Sequence, residues 1–400
     1  MRIISTLLLS ILFVTSLSSQ KVYTLKDCIL LGIENNLTLD NSRLETAKSK
    51  NALSQNRAGL LPVLTGVFQF TDYLLNPVNV TTGTLLGSDF PENPTWQTIH
   101  STQYNTSAGI QLNMPLYNQT ILAGIDIAKN IHSIRYLSYE KAVEDLTGKI
   151  AGVYYLAQTS MEQERLLDEN ITRMSTLYDI TASLYEQGVV LEVDASRVKI
   201  NLKNLQARKS QCHTLYEQHL NLLRFLLDLS IDEPMTIEPI SREIEPMNLY
   251  EADLQMPEIL IAEKQVELTG KQIKAIRAGF IPSLALTGYI GGIGYQEHFR
   301  NYFKGEESRR NWFGNGYFAV TLRIPIFEAN RKRLKVKQYK FEALQAENNL
   351  ELMQKSVQQR YANTRLQMQH QTQLTSCFIC VCNTLTTIIN IEYLTINDKT

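Results

Sequence analysis

Six histidines, five cysteines and one glycine cluster are the residues whose types and spacing invite a chemical reading. Zinc hydrolases need two histidines one helical turn apart with a glutamate between them, so that one helix face holds both metal and base. His100, His132, His213, His219, His298 and His370 show no such run and no paired ligand spacing. Cys377-Phe378-Ile379-Cys380 is a CxxC by spelling, but it lacks the second ligand pair of a zinc site and the fold context of a redox motif. Gly291-Gly292-Ile293-Gly294 follows a strand-like segment and leads into polar sequence rather than a helix start. It reads as a hairpin turn or flexible loop, not a phosphate cradle. No nucleophile elbow or carboxylate pair stands out. The expectation is a chain with no catalytic residues, no metal and no cofactor, and hence no enzyme.

Charge narrows the field further. Thirty-nine basic residues stand against 40 acidic ones, so nothing favours a nucleic-acid partner. The one dense basic run, Arg331, Lys332, Arg333, Lys335 and Lys337, reads as a solvated helix start rather than a polyanion site. Cys28 and Cys212 lie in helix-like sequence while Cys377, Cys380 and Cys382 crowd the tail, a weak case for any bridge. At the amino terminus Arg2 precedes an apolar stretch from Ile3 to Val14 and then Ser16-Leu17-Ser18-Ser19. That is the pattern of a secretory signal, so residues 1–20 are expected to be removed and the mature chain exported without a lipid anchor. Beyond it no run of 18 or more apolar residues occurs, and a membrane crossing would have to be made by β-strands.

The elements around these residues are duplicated. Arg57-Ala58-Gly59-Leu60-Leu61-Pro62-Val63-Leu64 returns as Arg277-Ala278-Gly279-Phe280-Ile281-Pro282-Ser283-Leu284, and Leu112-Asn113-Met114-Pro115-Leu116-Tyr117 returns as Leu322-Arg323-Ile324-Pro325-Ile326-Phe327. Each copy reads as helix, strand, loop, strand, long helix. The division expected is a signal at 1–20, a first repeat at 21–230, a linker at 231–256, an incomplete second repeat at 257–375 and an atypical tail at 376–400.

Four segments alternate with period two. Leu64, Gly66, Phe68 and Phe70 oppose Thr65, Gln69 and Thr71; Ala108, Ile110, Leu112 and Met114 oppose Gly109, Gln111 and Asn113. Leu284, Leu286, Gly288 and Ile290 oppose Ser283, Thr287 and Tyr289; Phe318, Val320, Leu322 and Ile324 oppose Tyr317, Thr321 and Arg323. Each run is about 9 to 12 residues, enough for a tilted strand to cross a bilayer core. Phe70, Tyr73, Tyr104, Tyr117, Tyr289, Tyr295 and Phe313 would supply an interfacial aromatic girdle. A soluble antiparallel sheet with one buried face is the alternative. Four strands do not close a membrane barrel, so a spanning assignment requires several chains to share one; three would supply twelve.

The rest is helical. From Asn118 to about Gln187 there is no proline, and Leu146, Ile150, Val153, Ala157, Leu167, Ile171, Met174, Tyr178, Thr181 and Tyr185 recur at steps of three and four. A helix of about 70 residues would reach roughly 105 Å. A second helix is expected from about Val193 to Leu229, with Leu202, Leu205, Leu215, Leu222, Phe225 and Leu226 on its packing side. Gly188 would permit the reversal between them, and Asp194 would sit in the first turn of the returning helix. Pro234, Pro239 and Pro246 mark an irregular connection into the second copy.

Taken in order, these segments resemble the TolC family of outer-membrane efflux proteins over roughly residues 22 to 375. Thr24-Leu25-Lys26-Asp27-Cys28-Ile29 through Glu34-Asn35-Asn36-Leu37 is similar to that family's opening helix, with Leu37 where proline is common. The segments at Pro62 and Pro282 are similar to its helix-to-strand entries, and those at Pro115 and Pro325 to its strand-to-helix exits. Leu184-Tyr185-Glu186-Gln187-Gly188 through Asp194 resembles the tip pattern Y-x-x-G-x-x-S-x-x-D, with Leu191 in place of the serine. The resemblance implies a mainly α protein with membrane β: long helical hairpins forming a periplasmic tunnel, and four strands per protomer in a shared trimeric β-barrel. It implies a homotrimer in outer-membrane lipid, extending into the periplasm, and a passive exit channel of a tripartite efflux or type I secretion system. Tyr185, Gly188 and Asp194 would belong to a tip that docks a periplasmic adaptor, with an inner-membrane pump supplying energy.

Two departures qualify that expectation. A second tip would fall near residue 398, so the second hairpin is expected to be unfinished, and after Thr375 the polar composition gives way to Ser376-Cys377-Phe378-Ile379-Cys380-Val381-Cys382. A reading-frame shift is favoured there over natural truncation. The competing functional readings are an exported coiled-coil stalk with soluble sheets and a non-functional truncated channel product.

Overall fold

The computed structural model describes residues 22–82, 96–240, 256–305 and 311–397, with side chains described except at 79–82, 96–100 and 374–397. The expected signal segment and Pro246 lie outside the described residues. In chain order the elements are β1 (Val22–Tyr23), α1 (Leu25–Asn35), α2 (Leu37–Ala58), β2 (Val63–Asp72), β3 (Val78–Thr82), β4 (Trp96–His100) and β5 (Tyr104–Tyr117). There follow α3 (Gln119–Glu186), α4 (Glu192–Leu227), β6 (Thr236–Ile237), α5 (Pro257–Ala278), β7 (Ser283–Gln296), a 3-10 turn at Phe299–Phe303, β8 (Trp312–Arg323) and α6 (Arg331–Asn397). The order helix, strand, loop, strand, long helix therefore occurs twice.

The chain forms two compact units that cut across the two copies: Met1–Ala47 with Arg135–Ile261, and Lys48–Ile134 with Ala262–Thr400. The first is helical with a core. Thr24 opens α1 with a capping box: its hydroxyl accepts from the Asp27 backbone N–H at 3.1 Å, and the Asp27 carboxylate accepts from Thr24 N–H at 3.2 Å. Asn36 both ends α1 and starts α2. Its own N–H bonds the Gly32 carbonyl, its side-chain oxygen accepts from Thr38 and Leu39 N–H, and its amide donates to the Leu226 carbonyl at 2.9 Å. Gly32 lets α1 press on α3, because a Cβ there would collide with the Ile150 side chain. Cys28, Ile150, Tyr154, Ala157, Leu220, Leu223 and Leu227 form the centre of this core, and the Tyr154 hydroxyl donates to the Tyr23 carbonyl at 3.0 Å.

One packing expectation is corrected here. In α4 the buried residues are Leu202, Leu220, Leu223 and Leu227, whereas Leu222 and Phe225 are exposed, Phe225 by 75%. The run from Leu220 to Leu227 is apolar at too many positions for spacing to fix its phase. Arg224 settles it: the residue is buried and binds the Glu233 carbonyl at 2.9 Å and Asn221 at 2.7 Å.

The second unit holds a four-stranded antiparallel sheet in the order β2-β5-β7-β8, and β3 and β4 pair as a separate hairpin. Its strands have 10, 14, 14 and 12 residues, somewhat longer than the alternation indicated. The glycine cluster is not a loop. Gly291, Gly292 and Gly294 lie within β7, and the ring of Trp312 covers Gly292 and Gly294 from the neighbouring strand. Glycine contributes no side chain to a period-two pattern, so the continuation of this strand past Ile290 was hidden in the sequence.

Candidate functional site

The sheet places its side chains by register. Across it run Leu64, Leu112, Gly288 and Phe318, and next to them Gly66, Ile110, Ile290 and Gly316. All alternate apolar positions of the four strands therefore share one face. The other face carries Thr65, Gln69, Gln111, Asn113, Thr287, Tyr289, Tyr317, Thr321 and Arg323. In the single chain the apolar face is bare: Leu64 is 70% exposed, Ile290 71% and Phe318 80%. Covering Leu64, Phe68, Ile290, Phe318, Val320 and Leu322 with apolar surroundings would be favourable by on the order of 10 kcal/mol. β2 and β8 each have one partner strand among the described residues, so both sheet edges offer unpaired backbone groups.

Aromatic residues gather at the end of the sheet away from the helices. Phe70 and Tyr104 stack at 6.0 Å and meet Phe299 and Tyr302 of the 3-10 turn, while Tyr295 and Phe313 lie 6.0 Å apart. Tyr302 accepts a 2.8 Å hydrogen bond from buried Thr106. Tyr289, expected in the girdle, sits mid-strand on the polar face. It stacks on Tyr317 at 5.9 Å over the paired Gly109 and Gly291, where its hydroxyl fills the space a side chain would need. Phe299 and Tyr302, which the sequence reading passed over, complete the cluster; their signal was an aromatic repeat in a polar loop.

Three of the four prolines expected at strand boundaries, Pro62, Pro282 and Pro325, lie just outside the strands, and Pro115 lies within one. Before Pro62, successive N–H groups of Leu60 and Leu61 bond back to Arg57 and Ala58; before Pro282, Phe280 and Ile281 bond to Arg277 and Ala278. Each helix thus tightens and stops at a residue that has no N–H to continue it. Pro115 lies inside β5 opposite Ala285, at an irregularity between Pro115 and Tyr117, and Pro325 follows β8 in the connector to α6.

The helical tip is built as expected. Gly188 has φ +75°, its N–H bonds the Tyr185 carbonyl, and Val189 N–H reaches the Leu184 carbonyl at 2.9 Å, which together close α3 with a Schellman turn. Leu191 supplies no side-chain cap to α4, and Asp194 stands in the first turn with Arg197 at 3.4 Å. Tyr185, Val189, Leu191 and Val193 are all exposed there, an apolar patch around the turn. Below it the two helices are laced by Lys209–Asp168 at 2.6 Å, His213–Glu164 at 3.3 Å and Ser160–His219 at 3.2 Å. The Asp168 carboxylate holds the Lys209 ammonium above its ordinary range. These histidines are partners in helix packing; among the described residues no group of His, Cys, Asp and Glu has the arrangement of a metal site.

Among the described residues, no helix is long and apolar enough to cross a membrane. The sheet is the element with a membrane-facing chemistry.

The comparisons with known proteins point the same way. The profile described as "Outer membrane efflux protein" matches residues 31–228. The chain is 26% identical over 232 residues to the probable efflux pump outer membrane protein TtgC of Pseudomonas putida, covering 56% of this chain and 46% of that one. It is 21% identical over 292 residues to the outer membrane protein TolC of Escherichia coli, covering 68% and 57%. The chain spans about half the length of these relatives. In structure it is similar to CusC, with a TM-score of 0.65 at 17% identity over 83% of this chain and 72% of that one. It is also similar to the Campylobacter jejuni CmeC outer membrane channel, with a TM-score of 0.60 at 19% identity over 82% and 66%.

Proposed function

Because this chain belongs to the outer membrane efflux protein family, we propose that it is a passive exit channel in the outer membrane, formed by three copies that share one barrel. The observation that carries this reading is the sheet: four strands, one apolar face left bare, and two unpaired edges. Inside lipid every backbone group must be paired, so β8 of one copy joins β2 of the next until the ring closes. Three copies reach twelve strands, within the size range of barrels that hold an aqueous lumen. The polar face with Gln111, Asn113 and Thr321 lines that lumen.

The helices extend into the periplasm. Apolar side chains left outside in one copy, Phe225 and Leu222 among them, become the seams between neighbours. The turn around Tyr185, Gly188 and Asp194 is the docking point for a periplasmic adaptor, whose inner-membrane pump supplies the energy of a tripartite efflux or type I secretion system. Exposed Val189 and Leu191 give that contact an apolar anchor.

The test is to express the full chain, isolate outer membranes and run unheated against heated samples on SDS gels. A species near three times the monomer mass that collapses on heating supports the shared barrel. A monomer at every temperature, extractable without detergent, sinks it.

A further inference from the structure

We propose that a cleft at the junction of β8 and α6 binds small organic anions that carry an apolar part. Four cationic side chains line it, Arg323 from the end of β8 and Arg331, Lys332 and Lys335 from the first turns of α6, against a single carboxylate, Glu328. The cavity has a volume of about 650 Å³, well matched to a small ligand.

Lys332 is already committed. Its ammonium donates to the Gly279 carbonyl, pairs with Glu328 at 2.7 Å and lies 5.3 Å from the centre of the Phe280 ring. Glu328 commits Oε1 to Lys332, while its buried Oε2 has no hydrogen-bond partner and lies 4.0 Å from Arg331. Arg323 and Lys335 have no acidic partner among the described residues. Three cations thus face one cleft with almost no neutralising charge, a field that favours an anion. Ala275, Ile276, Ile281 and Pro325 provide apolar wall, while Ser283, Asn118 and Thr120 provide polar groups at the rim. The occupant is therefore an amphipathic carboxylate, sulfonate or phosphate rather than an inorganic ion.

Register says on which side of the sheet these residues lie. Arg323 pairs with Ser283, two residues from the Thr321–Ala285 pair, and shares the face of Thr321, Tyr317 and Asn315. Arg323 and Ser283, which both line the cleft, lie on the polar side of the sheet. Nor does the fold require these charges. The position matching Arg323 in the first copy is Asn113, and the residue beside the matching glycine is Ile121 in place of Lys332. Arg331, Lys332 and Lys335 do open a helix, with Arg331 and Lys335 exposed, as the sequence indicates; the proposal adds a ligand to that start.

This inference rests on the channel reading, since it names the class of solute that passes the polar face, and the two are tested apart. The full chain in phosphatidylcholine nanodiscs is dialysed against naphthalenesulfonate and, separately, naphthylmethylammonium. We expect one saturable site per chain for the sulfonate, weakened by salt and absent for the matched cation. The double variant Arg323→Glu/Lys335→Glu should weaken it by about tenfold or more, Arg323→Gln/Lys335→Gln by less, and Lys340→Glu on the same helix not at all. Unchanged circular dichroism melting confirms that the variants fold. Equal binding of anion and cation, or wild-type affinity in the double reversal, overturns the site. So does loss of binding when phosphatidylglycerol replaces part of the disc lipid, which makes the occupant a lipid headgroup. Planar-bilayer conductance reads the channel separately: binding without conductance keeps the site and sinks the channel, and conductance without saturable binding does the reverse.

Discussion

The same junction is built twice in this chain, and the two versions differ in chemistry while agreeing in geometry. At Gly59 and at Gly279 a helix tightens through i to i−3 bonds, stops at a proline three residues on, and hands over to a strand. In the first copy the following long helix starts one residue after its strand, capped by Asn118, whose side chain accepts from Thr120 and Ile121 N–H, and Ile121 lies beside Gly59. In the second copy seven residues separate β8 from α6, Ala329 and Asn330 take φ of 47° and 60°, and Lys332 occupies the place beside Gly279. A neutral, apolar contact has become a cationic one with a longer connector. Duplication preserved the backbone hydrogen bonds, which the fold needs, and released the side chains, which it does not.

The comparison breaks most violently where the copies touch, at the Gly109–Gly291 pair of β5 and β7. A Cβ on Gly291 would run into the Ala108 carbonyl and stand 2.7 Å from the Gly109 Cα, backbone that no rotamer moves. Gly291→Val should cost about 3 kcal/mol or more and leave little heat-dissociable species on gels. Gly66→Val, which meets open space, should leave the gel pattern of wild type.

A milder change separates the two junctions. Lys332→Met keeps the stem but strips the Gly279 carbonyl and Glu328 of their donor, a loss of about 1–3 kcal/mol. Ile121→Met at the matching place should cost less than about 1.5 kcal/mol. Melting of the two variants side by side checks the ranking, and equal losses would mean that the ammonium contributes nothing. At the helix ends Gly188 and Asp228 both hold left-handed conformations. Gly188→Ala should cost about 1 kcal/mol, whereas Asp228→Gly should shift stability by less than about 0.5. Equal and opposite melting shifts would contradict that asymmetry.

The smallest effect is electrostatic. Hydrogen bonds from Lys264 at 2.8 Å and Lys271 at 2.9 Å hold the Glu267 carboxyl down to about 2. The matching residue of the first copy is Ala47. A depressed carboxyl stabilises fully above the ordinary value of 4.5, and the contribution fades as pH falls toward about 2. The pair network is surface-exposed and screened, so its worth is under about 1 kcal/mol. Glu267→Gln should flatten the corresponding part of an acid melting series, and an unaltered slope would deny Glu267 its share.

How much could be read without coordinates follows from what each residue contributes to a pattern. Phe318, Val320 and Leu322 alternate with polar neighbours, so their strand was plain, and Gly188 marked a turn that its φ requires. Gly291, Gly292 and Gly294 are silent in any hydrophobic period, and their role depends on Trp312 and Tyr289 lying over them, which only register reveals. Leu222 and Phe225 lie outside the core of the single chain, which the sequence did not reveal because a run this rich in apolar residues carries no phase. The anion cleft was invisible for another reason. Arg323 and Lys335 are 12 positions apart on different kinds of element, and no spacing rule joins a strand end to a helix turn across two left-handed residues.

The bare face and open edges of the β2-β5-β7-β8 sheet also set a clock. A chain free in water presents two unpaired strands beside a hydrophobic surface, the template on which disordered aggregates grow. On the proposed three-copy barrel, productive closure needs three such chains to meet, so its rate climbs steeply with their number, while off-pathway sticking needs only two. Survival between export and insertion is thus a race of encounter orders, decided by how briefly each copy stays alone and how well an escort shields its edges.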